Sequence, residues 1–252
     1  MDTSPWTIFQ SVLNRRHSKR AFLGRPVPRD LLENVLRTAA HAPSTRNGQP
    51  WQVAVVTGKR KDALAGRLCA QLDRDVTPRP DFTYRPDRGD STSAARAREA
   101  SVGVLLAKGH NRNDPAARRA HLRDNLEFYR APVEMIFHLP ADAMPGQFLE
   151  MGFFLQNVML SLVACGLGSC PQFSVAGYPD VIRAELGLDA DRLVVCGLAV
   201  GYPDESVPVN QFQPGRAELT DYVQWHDQPR TVHTGLRVTG RLGDITESPE
   251  HA

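Results

Sequence analysis

Residues 146–173 read GQFLEMGFFLQNVMLSLVACGLGSCPQF, and this stretch decides the architecture. From Gly146 to Cys165 it is apolar on nearly all helical faces, which predicts a central helix. The longest apolar run, Met151 to Leu167, is interrupted by Gln156 and Asn157 and reads as too short to span a bilayer. Gly166 and Gly168 then end the helix, and the residues up to Phe173 read as an edge strand entered through a cap. Glycines here allow close backbone approach, so the amides after Pro171 are free to point at a ligand.

Outward from that stretch, Trp51–Thr57, Val133–Leu139 and Leu193–Val200 are apolar runs of strand length. Val102–Ala107 also reads as a strand. Residues 4–16 predict a helix with Ser4 as N-cap and Pro5 in its first turn. A second helix starts at Pro28, places Leu31, Leu32, Val35, Leu36, Ala39 and Ala40 on one face, and stops before Pro43. Lys59–Leu72 and Asn113–Tyr129 have helical spacing. Residues 73–98, rich in Arg, Asp, Pro, Ser and Thr, read as a surface excursion or lid within a single domain spanning 1–252. Past Val200 come an arm (201–216), a short helix (Glu218–His226) and strand character at Thr231–Thr239. No G-x-G-x-x-G follows the first strand, which argues against a dinucleotide-binding Rossmann unit. Strands and helices alternate, with irregular connections. The arm and tail, 201–252, have few local apolar partners and are expected to wrap another subunit.

At 252 residues, 41% hydrophobic and 23% charged, the chain can bury one generous core. A formal net charge of +2 excludes a strong global field for nucleic acid or membrane. Cys69, Cys165, Cys170 and Cys196 lack C-x-x-C spacing and have apolar neighbours, as ordinary buried thiols of a reducing compartment do. The acidic start carries no cationic n-region, and Gly24–Asp30 stands where a twin-arginine signal needs an apolar run; a cytoplasmic protein is expected. His41, His110, His121 and His138 lack ligand spacing, so no metal site is assigned, and no triad supplies a nucleophile.

Four constellations carry the candidate chemistry. Arg15-Arg16-His17-Ser18-Lys19-Arg20 concentrates cations and a hydroxyl at the end of the first helix, where arginine forks match phosphate oxygens; a solvated helix end is the plainer reading. Pro43-Ser44-Thr45-Arg46-Asn47-Gly48-Gln49-Pro50-Trp51 makes a stiff loop rich in donors and acceptors. Gly166–Phe173 is the third. The fourth is Gly201-Tyr202-Pro203 with Asn210 and Arg216.

Taken together these segments resemble the FMN-dependent nitroreductase family. The resemblance runs from about Phe9 to Trp225, carried by Arg16-His17-Ser18-x-Arg20-x-Phe22, Pro43-Ser44-x-x-Asn47-x-Gln49-Pro50-Trp51, Ala131-Pro132-Val133, Gly152-x-x-x-Gln156-Asn157, Gly166–Gln172, and Gly201-Tyr202-Pro203 through Asn210 to Arg216. It implies an α+β, nitroreductase-like fold, a mixed central sheet flanked by helices, and FMN bound without a covalent link at a homodimer interface, with the C-terminal arm exchanged between subunits. By the same resemblance, Arg16 and Ser18, with His17 beside them, hold the phosphate and ribityl chain, and Arg216 completes the phosphate site. Arg20 matches the basic position near flavin N1, where it tunes the ring. Pro43, Ser44, Thr45 and Asn47 match the loop lent by the partner subunit, and Pro171, Gln172 and Phe173 the segment whose amide faces N5. Many relatives carry Glu-Gly shortly after that proline; Gln172-Phe173-Ser174 stands here, so only the backbone contact carries over.

The implied reaction is a ping-pong cycle, in which NAD(P)H as co-substrate gives hydride to flavin N5 and a nitroaromatic compound takes it. Nitroso, hydroxylamino or amino compounds are the products. Quinones, enones or halogenated aromatics as acceptors, a flavin-binding protein without turnover, and an anion-binding regulatory module stay open on the residues. Phe82, Tyr84, Tyr129, Phe148 and Phe153 are pocket candidates by position alone.

Overall fold

Four apolar runs pair into one sheet. In this computed structural model, which describes residues 4–83 and 91–226, they are β1 (Gln52–Thr57), β2 (Val133–Pro140), β3 (Gly168–Gln172) and β4 (Arg192–Gly201). The order is β1-β2-β4-β3, antiparallel at every pairing. A parallel bridge between Ser18 and Ser169 brings the end of the first helix onto the β3 edge.

The central strands β2 and β4 are covered on both faces, which explains their continuous apolar runs. Side chains alternate as the pleat requires. Val133, Met135 and Phe137 join Leu32 and Val35 of α2 (Arg29–Ala39) and Met151, Phe154 and Val158 of α6 (Pro145–Ala164). On the other face Ile136, Val194, Ala199 and Cys170 meet Leu64 and Leu68 of α3 (Gly58–Asp73), Leu126 of α5 (Pro115–Leu126) and Ile182 of α7 (Pro179–Leu186). The first helix, α1 (Pro5–Arg15), starts as its sequence dictates: the Thr7 amide donates to the Ser4 hydroxyl at 3.3 Å.

Several expectations are corrected. Val102–Ala107 is the end of a helix, α4 (Ser91–Ala107), not a strand. Helix formers upstream extend through this short apolar run, and Gly103 supplies the flat spot on which the Phe212 ring packs; a Cβ there would lie 2.1 Å from it. α6 is central on one face only, since Leu149 and Phe153 are 60% and 40% exposed. At 20 residues it is long and apolar enough to cross a membrane by length and composition alone, against the sequence reading, yet its inner face packs on the sheet. Cys165 is exposed, unlike the other three thiols.

Residues 201–214 fold back on their own chain after all, with Val209 and Asn210 buried. A second compact unit begins at Gly215; in it Leu219, Tyr222 and Trp225 are exposed, and the short helix expected at 218–226 is a single 3-10 turn, Leu219–Asp221. The strand expected at Thr231–Thr239 lies outside the described residues. The near leg of the excursion is anchored: Arg183 forks onto Asp81 at 2.7 and 3.1 Å, and Asp81 also accepts from the Val194 amide. Phe82 is thereby set against Phe148, with ring centroids 4.8 Å apart; Tyr84 lies outside the described residues.

Glu134 is fully buried on β2, and its carboxyl fills the space left by the absent side chain of Gly197. Burial pushes its pKa well above the ordinary value of 4.5, partly opposed by the Leu198 amide and Lys61. The folded state therefore binds a proton that the unfolded state releases, so stability falls as pH rises above about 4.5. Glu134→Gln removes that dependence. Its melting temperature should exceed wild type at pH 8 and converge with it near pH 4; equal melting curves at pH 8 would contradict the buried neutral acid.

Candidate active site

One buried amide organises the segment that the sequence singles out. Asn210, fully buried, accepts from the Arg20 amide through Oδ1 at 2.7 Å and donates through Nδ2 to Ala21 and Asp204 carbonyls at 2.7 and 2.9 Å. Its own carbonyl oxygen meets His17 Nε2 at 2.8 Å and accepts from Lys19 Nζ at 3.1 Å. Lys19 also forks onto Glu205 at 2.7 and 2.8 Å and donates its amide to Ser169 on β3. The hexapeptide's lysine is thus consumed internally, and both His17 ring nitrogens sit on carbonyls, of Arg15 and Asn210. Arg16, Ser18 and Arg20 are half-buried polar side chains with the chemistry to hold an anion.

Arg20 donates to the Ser18 carbonyl at 3.3 Å, while its Nε is buried with no protein partner. Its guanidinium lies beside the Tyr129 hydroxyl and the Cys170 thiol. Burial raises both acids and Arg20 opposes it, so both stay neutral near pH 7. His121, close by, is held neutral as well, lowered to about 4 by burial and then by Lys108 and Arg20. Tyr129 reaches this place through a left-handed turn, with φ of +57°, +51° and +60° at Phe128, Tyr129 and Arg130. Backbone of that kind in bulky residues costs about 1–2 kcal/mol each and persists where the surroundings enforce it. A cavity of about 620 Å³ opens beside Arg20, lined also by Lys108, His110, Tyr129 and Arg130.

The 43–49 loop is the second strained segment, with φ of +53°, +58° and +45° at Arg46, Asn47 and Gln49. Its bonds run to α6: the Thr45 amide donates to the buried Glu150 carboxylate at 2.7 Å. Ser44 Oγ accepts from the Gln49 amide. Pro43 and Asn47 remain exposed.

On β3, Pro171 is half-buried and Phe173 exposed, but Gln172 turns inward and is 1% exposed, so only its backbone can meet a ligand. Arg216 belongs to the unit that begins at Gly215, where its Nη1 donates to the Gly215 carbonyl. Glu150 and Asn125 were missed by sequence reasoning. Glu150 had a visible signal, as the lone charge in an apolar helix. Asn125 had none.

This donor set fits FMN on one structural ground: a guanidinium with a buried N–H left unpaired beside Ser18, on a segment pinned to the β3 edge. Residues 13–202 match the sequence profile of the nitroreductase family, and the chain belongs to that family. It is 32% identical to the chloronitrobenzene nitroreductase of Comamonas testosteroni over 88% of this chain and 97% of the relative. It is 35% identical to a 4-nitrobenzoate reductase of Pseudomonas putida over 82% and 91%. Among solved structures, it superposes on the FMN-dependent nitroreductase NfnB from Mycobacterium smegmatis in complex with NADPH with a TM-score of 0.83, at 30% identity over 87% of this chain and 99% of that one.

Asn210→Ala removes the side-chain bonds to residues 20, 21 and 204 and leaves their partners buried. A loss of about 2–4 kcal/mol in unfolding free energy follows. Urea denaturation tests it; a change under about 0.5 kcal/mol would show that the segment is ordered by other contacts.

Proposed function

We propose that this chain is an FMN-dependent oxidoreductase that takes hydride from NAD(P)H and passes it to nitroaromatic compounds, working as a cytoplasmic homodimer. The observation that carries this reading is the Arg16–Arg20 segment, tied down by Asn210 and Ser169 with one arginine N–H left unpaired. Arg16 and Ser18 would hold the phosphate, with the His17 backbone beside them, and Arg216 of the arm would add a second guanidinium. Arg20 would stabilise negative charge on the ring. The backbone of Pro171, Gln172 and Phe173 would line the ring, and Pro43, Ser44, Thr45 and Asn47 of a second copy would close it.

FMN supplies the hydride acceptor and donor, which no side chain of the protein can replace. What the protein adds is position and charge. Tyr129, Cys170 and His121 stay neutral around Arg20, so its charge is not cancelled locally. The relatives named above support a nitroaromatic acceptor, and the NADPH complex supports a nicotinamide donor. Dimerisation is supported by apolar surface a single copy leaves open: Leu149 and Phe153 on α6, and Leu219, Tyr222 and Trp225 in the second unit. β1 is a sheet edge, and beside it runs a groove of about 730 Å³ lined by Val27, Leu32, Leu36, Val55 and Pro132, which suits an exchanged strand.

The purified protein should be yellow, bind FMN far more tightly than riboflavin, and consume NAD(P)H steadily when a nitroarene is added. Arg16→Ala should weaken FMN binding by about 2–4 kcal/mol, the scale of a lost partner to a partly buried phosphate. Fully loaded Arg16→Ala, or equal affinity for FMN and riboflavin, would overturn the phosphate assignment.

A further inference from the structure

Asn125 sits near the end of α5, three residues ahead of Phe128, where the strained turn begins, and outside the motifs described above. Three side chains from separate places meet on it. Gln172 Nε2 donates to its backbone oxygen at 2.5 Å and to its Oδ1 at 2.9 Å. Ser174 Oγ donates to the same Oδ1 at 2.7 Å. Asn125 Nδ2 in turn donates to the Tyr129 hydroxyl at 2.8 Å. Gln172 sets the orientation of this amide: its Nε2 is held on the Asn125 backbone oxygen and can only donate, so reversal would set the Asn125 NH2 against it.

Gln172 and Ser174 flank Phe173, and both are tied to one side chain. Two anchors one residue either side of a peptide fix its orientation as a single anchor does not. Phe173 follows the end of β3 and is 41% exposed, and the residues on either side of it are tied to Asn125 from behind. The same Asn125 holds Tyr129, whose hydroxyl lies beside the Arg20 guanidinium. One half-buried amide therefore spans the two parts of the candidate site that would meet the flavin ring: the β3 backbone and Arg20.

We propose that Asn125 is a positioning residue, which orients the Phe173 peptide toward the flavin ring and holds the Tyr129 hydroxyl against Arg20. This inference rests on the flavin reading above. Asn125 touches neither phosphate-holding residue, so its loss should act on ring chemistry more than on retention of the cofactor. Asn125→Asp preserves the acceptor for Gln172 and Ser174, and Tyr129 can donate to the carboxylate in place of accepting. The aspartate variant should therefore rescue what alanine loses.

The test compares wild type, Asn125→Ala, Asn125→Asp and Ser174→Ala, in flavin-free and FMN-saturated protein. In flavin-free Asn125→Ala, amide hydrogen exchange at residues 172–174 should be about tenfold faster, the scale of one lost buried hydrogen bond. With FMN bound, anaerobic reduction by NAD(P)H should slow about tenfold and the flavin absorption band should shift, while the FMN dissociation constant changes less than about threefold. Asn125→Asp should restore the exchange rate, the band and the reduction rate. If Asn125→Ala does not fold, Ser174→Ala decides by the same readouts, with a smaller effect in the same direction. Wild-type exchange and reduction rates in these variants would overturn the positioning role. Failure of wild type to bind FMN at all would instead overturn the flavin reading and leave the exchange result to judge the clamp.

Discussion

The site depends on the fully buried amide of Asn210. An asparagine taken from water into a core is stable only if its polar atoms find partners, and here each of them lies against the 17–21 segment or its neighbour Asp204. The amide thereby converts a cationic hexapeptide, which in isolation would be a frayed helix end, into a strap pinned across β3. Lys19 contributes to the same end. Its charge is neutralised by Glu205, so its stem can pack against Gly168, where a Cβ would come within 2.8 Å of it. The arginines then differ from the lysine in function because their environments differ, not because their charges do.

The second constraint is strain. Among the described residues, left-handed, non-glycine backbone clusters in the 46–49 loop and in the turn at Phe128–Arg130, and each is held by a polar side chain behind it. Glu150 holds the first through the Thr45 amide, and Asn125 holds the second through Tyr129. Packing from α6 and α5 thus enforces a backbone that local preference opposes. Such conformations belong where a peptide must face a particular way. Both segments border the ring in the proposed flavin site.

Much of this was legible from the chain. Ser4 with Pro5 marks the first helix because a hydroxyl before a proline satisfies a helix start, and β2 is visible because a strand buried on both faces must be apolar throughout. The order of the glycine, arginine and proline motifs identifies the family. What was illegible is long-range. Val102–Ala107 has strand composition, yet it continues the helix begun at Ser91, with the distant Phe212 packed on Gly103. Lys19 reads as one more cation of the hexapeptide until Glu205 is found beside it, far along the chain. Nothing local predicts a left-handed Phe-Tyr-Arg turn, because no residue in it favours that backbone. The arm divides at 214–215: its first part folds on its own chain, which counting local apolar neighbours did not reveal.

The central claim is that a complete flavin site takes Arg16, Ser18, Arg20 and β3 from one copy and the 43–47 loop from another. Differently tagged chains test it directly, one carrying Arg16→Ala and the other Ser44→Ala with Asn47→Ala, each inactive as a homodimer. A purified heterodimer concentrates both defects in one site and leaves the other intact, as two-fold symmetry requires. The account predicts NAD(P)H-dependent nitroarene reduction at about half the wild-type rate per dimer. A heterodimer no more active than either parent would contradict a site shared between two chains.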